Sequence, residues 1–160
     1  MASRSRVIAM SGILAATYFV VTVALAPISY GPIQFRVSEV LKPLALLHPA
    51  FALAFGFGTL AANLFSPFGP WDYIAMAFVD TGVALVCYAM RRRPWPAVIV
   101  QALLISLGVA VFPLGFGGGL PFWPSFVAVA VSELILLCGG YGLIWRGYIE
   151  HAYPHLLRRG

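Results

Sequence analysis

Five apolar runs, at about 7–27, 37–65, 72–90, 95–113 and 124–145, occupy most of this 160-residue chain. Crossing the hydrocarbon core of a bilayer takes roughly 20 apolar residues in helical form. The runs meet that length, and none has the alternating pattern of a membrane barrel. Charged residues are 9% of the chain and hydrophobic ones 61%, whereas a soluble domain carries about a quarter charged residues. The fold class is therefore an all-α membrane protein, with no soluble domain left over. The net charge of +5 does not mark a nucleic-acid binder, because the basic residues sit where topology signals sit.

The 37–65 run is either one long span or two short ones broken near Lys42-Pro43 and His48-Pro49. Proline removes a donor and disfavours helical geometry in the residue before it, so a turn is permitted there. Cytoplasmic loops are enriched in Lys and Arg. Arg4 and Arg6, the Arg91-Arg92-Arg93 cluster, and Arg146, Arg158 and Arg159 all fall on one side only if the chain crosses six times. On that count a turn holding Lys42 and His48 is also cytoplasmic. The expectation is a compact six-helix bundle over 1–160, with spans near 7–27, 35–47, 49–65, 72–90, 95–113 and 124–145 and both termini cytoplasmic. Residues 7–26 are read as a retained span and not a signal peptide, because Pro27 would hinder cleavage after Ala24-Leu25-Ala26. The outer loops contain Trp71 and Trp123, where interfacial aromatics belong, and a Gly117-Gly118-Gly119 run that reads as a lid.

Against this apolar background, Gln34, Arg36, Ser38 and Glu39 stand together in one short segment. Arg36 is then the one Lys or Arg outside the cytoplasmic side. Asp80 lies about 12 Å into its span and Glu133 about 14 Å into its own, from the rise of a helix. Ionisable groups at such depth cost about 2.5–3.5 kcal/mol on insertion scales and mark functional sites by default. Asn63 adds an amide at the outer end of its span. Each residue also has a structural reading. Arg36 and Glu39 are i, i+3 and can pair with each other. Asp72 follows Pro70-Trp71 at an N-cap position. Asp80 can bond to a hydroxyl of a neighbouring helix.

No GxxxxGK[ST] is present, so this chain has no nucleotide-binding P-loop. His48, His151 and His155 lie away from the buried acids, and a metal site built from Glu150, His151 and His155 is disfavoured against a solvated tail. No nucleophile–base set stands out, so the chain is read as a transport protein, neither an enzyme nor a holder of a metal or cofactor. Cys87 and Cys138 read as buried thiols. In the first span Ser11 and Ala15, and Gly12 and Ala16, form small-xxx-small pairs. These permit close helix approach, either within the bundle or to a separate subunit.

The run Ile33-Gln34-Phe35-Arg36-Val37-Ser38-Glu39-Val40-Leu41, with Ala62-Asn63-Leu64-Phe65-Ser66-Pro67 and Trp71-Asp72, resembles the QueT family over essentially the whole chain. QueT proteins are substrate-binding S components of energy-coupling factor (ECF) transporters, assigned to uptake of queuosine precursors across the bacterial plasma membrane. The resemblance implies an outward-facing binding cavity under the outer loops. It also implies docking on a transmembrane coupling subunit through Ser11, Gly12, Ala15 and Ala16, with two separate ATPase subunits supplying energy. Here the first-span motif departs from a strict Ala-xxx-Ala.

A 7-deazaguanine offers an N–H and an exocyclic amine side by side, which one carboxylate accepts in a bidentate manner. Glu133 and Glu39 are the first candidates for that role, and Gln34, Arg36 and Asn63 are candidate supporting contacts. Asp80 and Asp72 are weaker candidates. Trp71, Trp123, Phe35 and Phe122 are candidates to stack on the ring. Two alternatives remain open: a stand-alone ion-coupled transporter using Asp80 and Glu133, or an S component for another vitamin-like substrate.

Overall fold

A computed structural model describes residues 4–31 and 33–152. Pro32, His155, Arg158 and Arg159 lie outside the described residues, as does the Glu150 side chain. The described elements are all helical: α1 (Arg4–Ala24), α2 (Ala26–Ser29), a 3₁₀ helix (Val37–Leu46), α3 (Ala50–Asn63), α4 (Met76–Ala89), α5 (Pro94–Val111), α6 (Phe122–Gly139) and α7 (Arg146–Ala152). Wider π turns lead into α4 (Trp71–Ala75) and follow α5 (Phe112–Gly117) and α6 (Gly140–Trp145). Four continuous stretches are long and apolar enough to cross a membrane: Arg4–Ala24, Trp71–Ala89, Pro94–Gly117 and Phe122–Tyr148. Helix α3, with 14 residues, and the 3₁₀ helix, with 10, are shorter.

Side-chain contacts fix the direction of each pass. Helices α1 and α3 advance together: a Cβ on Gly58 would lie 3.1 Å from the Ala15 carbonyl, and the Phe19 and Phe65 rings are 6.0 Å apart. The chain must therefore return between them. The 3₁₀ helix makes that return, because Tyr18 of α1 meets Glu39 while the later Thr22 meets the earlier Ser38. Helix α4 runs against α3, through Thr59 with Asp80 and Asn63 with Asp72. Helix α5 runs against α4, with the Trp71 and Phe112 rings stacked at 6.5 Å. Trp95 at the start of α5 meets Tyr141 just beyond α6. Successive helical segments among the described residues thus alternate in direction.

The 35–47 span expected as an ordinary helix is instead a 3₁₀ helix at its centre. Such a helix rises about 2.0 Å per residue, so ten residues reach roughly 20 Å, against about 15 Å in α form. Runs beyond three or four residues are uncommon because the hydrogen bonds are poorer. Pro43 sits inside this one and donates no backbone bond. Its three-residue turn, however, eclipses side chains at i and i+3. Arg36, Glu39 and Lys42 therefore stand in one file, and all three are buried. Packing against α1, α4 and α6 encloses that file.

Lys42 corrects the topology argument. It was expected in a cytoplasmic turn, but it is buried and ion-paired, so it is no topology signal. In the glycine run expected as a lid, two residues lie against Phe68: a Cβ on Gly117 would lie 2.7 Å from the Phe68 carbonyl and one on Gly118 3.1 Å from its ring, whereas Gly119 is open. Only glycine lets these two loops come so close.

Candidate functional site

Polar side chains gather inside the bundle along the 3₁₀ file. Among the described residues, four buried carboxylates, Glu39, Asp72, Asp80 and Glu133, stand against two buried cations, Arg36 and Lys42.

The first tier is centred on Asp72. Arg36 Nη2 lies 3.2 Å from its Oδ1 and 3.3 Å from Oδ2. Asn63 Nδ2 donates to Oδ1 at 2.6 Å and to the Asp72 carbonyl at 3.0 Å, and the Ser66 hydroxyl donates to Oδ2. Arg36 Nε donates to the Ser29 carbonyl at 3.3 Å, and its guanidinium lies 5.6 Å from the Tyr30 ring centre. Asp72 makes no capping hydrogen bond, and the cap residue of its π turn is Pro70. It is the anchor that joins the 33–36 segment to α3 and α4. Arg36 pairs with Asp72, and the i, i+3 pairing to Glu39 is not formed.

The second tier is centred on Lys42. Its Nζ lies 2.7 Å from Glu39 Oε2 and 2.8 Å from Asp80 Oδ1. Tyr18 donates to Glu39 Oε1 at 2.5 Å, and the Thr59 hydroxyl donates to Asp80 Oδ2. Asp80 thus does bond a hydroxyl of a neighbouring helix, and it binds a cation as well. Thr22 and Ser38 share a bond of 2.6 Å beside this tier. A buried ion pair offsets its desolvation cost only when geometry and extra hydrogen bonds are good. Here one ammonium bridges two carboxylates, each with a further donor.

The third group is different in kind. Glu133 forms no ion pair among the described residues, and its Oε2 has no hydrogen-bond partner there. It feels the charges of Glu39, Lys42, Asp80 and Arg36. Neither the Oε1 nor the Nε2 of Gln34 and Gln101 has a partner among the described residues. Glu133, Gln34 and Gln101 are each only 1% exposed. Buried polar atoms are nearly always hydrogen-bonded, so such a set calls for an explanation. Ser132 donates to the Ile33 carbonyl at 3.2 Å. That bond ties the chain neighbours of Gln34 and Glu133 together. From the Trp95–Tyr141 contact, the helical rise puts Gln101 and Glu133 within about one turn of the same level. Gln34 has φ 49°, a left-handed conformation uncommon outside glycine.

Among the other expected site residues, Asn63 belongs to the Asp72 tier. Trp71 is exposed and packs on Phe112 and Phe116. Trp123 is exposed beside Phe122 and Phe126. Ser11 and Ala15 are partly covered, with Ala15 at the α3 approach, whereas Gly12 and Ala16 are exposed. A groove between α1 and α3 is lined by Ser11, Gly12, Ala50, Leu53, Ala54 and Phe57, among others.

Sequence reasoning did not place Lys42, Tyr18, Thr22, Thr59 or Gln101 in this cluster. One signal was present: Arg36, Glu39 and Lys42 recur at strict spacings of three with alternating charge. That is a 3₁₀ period.

No solved structure matches the chain. A curated relative, the queuosine precursor transporter QueT of Lactococcus lactis subsp. cremoris (strain MG1363), is 30% identical over 139 residues, covering 78% of this chain and 82% of the relative. The QueT transporter family matches residues 8–146, which takes in every tier of the buried column. This membrane protein, with its ionic column enclosed by apolar helices, belongs to the QueT transporter family.

Proposed function

We propose that this chain is the substrate-binding subunit of an ECF-type importer, and that it binds a queuosine precursor of the 7-deazaguanine class. The observation that carries this reading is the group of buried, unpartnered polar atoms on Gln34, Gln101 and Glu133. A flat ligand rich in N–H donors and with one carbonyl suits two carboxamides and a carboxylate. Phe35, adjoining Gln34, would stack on it, with Trp71 and Trp123 at the outer rim. Six membrane crossings with both ends cytoplasmic agree with the alternating passes and with the outer aromatics. A coupling subunit and two ATPases would supply the energy. The exposed Gly12 and Ala16 would form the docking stripe, and Ser11 and Ala15 its inner edge.

The test is isothermal titration of the purified chain in detergent with 7-aminomethyl-7-deazaguanine. Saturable one-to-one binding in the absence of other subunits is the expected result. The competing ion-coupled reading predicts uptake by cells lacking the coupling subunit and ATPases, abolished by collapse of the proton gradient.

A further inference from the structure

We infer that Glu133 selects the ligand by charge: the site takes a protonated amine and discriminates against neutral ligands of the same shape. This rests on the importer reading of the same site and specifies its substrate class.

Arg36 is committed to Asp72, and Lys42 to Glu39 and Asp80. Each of those three carboxylates also accepts from a hydroxyl or an amide. They are held by the protein's own donors and are poorly placed to receive a ligand. Glu133 remains, 1% exposed, without an ion pair among the described residues. The charges it feels are those of Glu39, Asp80, Lys42 and Arg36. Two of them are negative, and the two positive ones are already shared with nearer acids. A buried carboxylate in these surroundings is stabilised most by a cation brought in from outside. The carboxamides of Gln34 and Gln101 supply what a cation does not need, namely donors and acceptors for a neutral polar ring edge. Gln101 is therefore a binding residue as well. It approaches the ligand from α5, while Glu133 approaches from α6.

The probes are 7-aminomethyl-7-deazaguanine, which carries an ammonium group, and 7-cyano-7-deazaguanine, which is neutral there. Both are titrated into wild-type protein, Glu133→Gln and Gln101→Leu. Removing one partner of a desolvated charge pair typically costs 2–5 kcal/mol, so wild type should prefer the aminomethyl ligand by about thirtyfold or more. Glu133→Gln keeps shape and volume. It should lose that preference, with cyano binding changed by no more than about threefold. Gln101→Leu should weaken both ligands alike and leave their ratio intact. A purely structural Glu133 would make the ligand-free Glu133→Gln protein less stable, whereas a receptive one leaves its melting temperature equal or higher. A wild-type ratio near one, or a preference unchanged in Glu133→Gln, would overturn the inference and leave the importer reading standing. Absence of binding by both ligands would overturn both.

Discussion

The two sides of the bundle interior differ in a way that separates support from reception. On the 3₁₀ side, Asp72, Glu39 and Asp80 each have a cation and at least one hydrogen-bond donor. On the α5–α6 side, Gln101 and Glu133 present polar atoms with no such partner. A satisfied buried network fixes one geometry, whereas an unsatisfied one stores a demand for hydrogen bonds. Under the proposed function, the first side holds the fold and the second is offered to a ligand. Substitutions on the two sides should then behave oppositely. Losses on the 3₁₀ side should appear in stability, and losses on the α5–α6 side in binding.

The largest effect is expected at Lys42. Lys42→Met removes the one ammonium between Glu39 and Asp80 and leaves two carboxylates buried close together. Breaking a buried pair in this way costs about 3–5 kcal/mol. The measurement is the thermal unfolding midpoint in detergent, which should fall further for Lys42→Met than for any substitution at Glu133. If Lys42→Met proves as stable as wild type, the division into supporting and receptive sides fails.

A smaller loss is expected at Arg36. Arg36→Ala leaves Asp72 with two neutral donors, Asn63 and Ser66, so about 2 kcal/mol is expected and not the full cost of an isolated charge. Arg36→Lys keeps the charge but loses the donation to Ser29 and the planar fork, and should fall between the two. Ligand affinity measured on protein that remains folded should change little in Arg36→Lys. A large loss of affinity there would move Arg36 from the anchor to the binding group.

Much of this arrangement was readable from the chain, and the parts that were not share a cause. Apolar run lengths and charge placement indicated a helical membrane bundle, and the polar segment at 33–39 marked where to look. Lys42 was misplaced because the topology argument treats every cation near an apolar run's break as a cytoplasmic signal. A cation that finds two acids in space looks the same in sequence. Asp72 was assigned to capping for a similar reason: the local pattern fits a cap, and the Arg36 partner lies 36 residues away. Gln101 went unnoticed because a single amide in an apolar helix carries no periodicity. Its meaning comes from burial and from the absence of a partner, which only the packed structure provides. Gln34 and Glu133 stand out in the sequence as polar residues in apolar surroundings, and both are buried.

The smallest effect, and the sharpest comparison, is expected at Gln34. Its backbone is left-handed, with φ 49°, a conformation that costs a non-glycine residue roughly 1–2 kcal/mol. Its carboxamide returns nothing to the folded chain, because neither side-chain atom has a partner among the described residues. Gly31 and Arg36 hold the segment in place through backbone bonds, from the Gln34 amide to Gly31 at 2.9 Å and from the Arg36 amide to the Gln34 carbonyl at 2.9 Å. A glycine at 34 would keep those bonds and relieve the strain, although it also loosens the unfolded chain. The ligand-free Gln34→Gly protein should therefore be within about 1 kcal/mol of wild type in stability, while its affinity for 7-aminomethyl-7-deazaguanine falls by about tenfold, the value of one or two hydrogen bonds. Calorimetric titration and a melting curve on the same sample read both quantities. A variant that binds as well as wild type would show that the strained carboxamide is not aimed at the ligand, and the receptive side would shrink to Gln101 and Glu133.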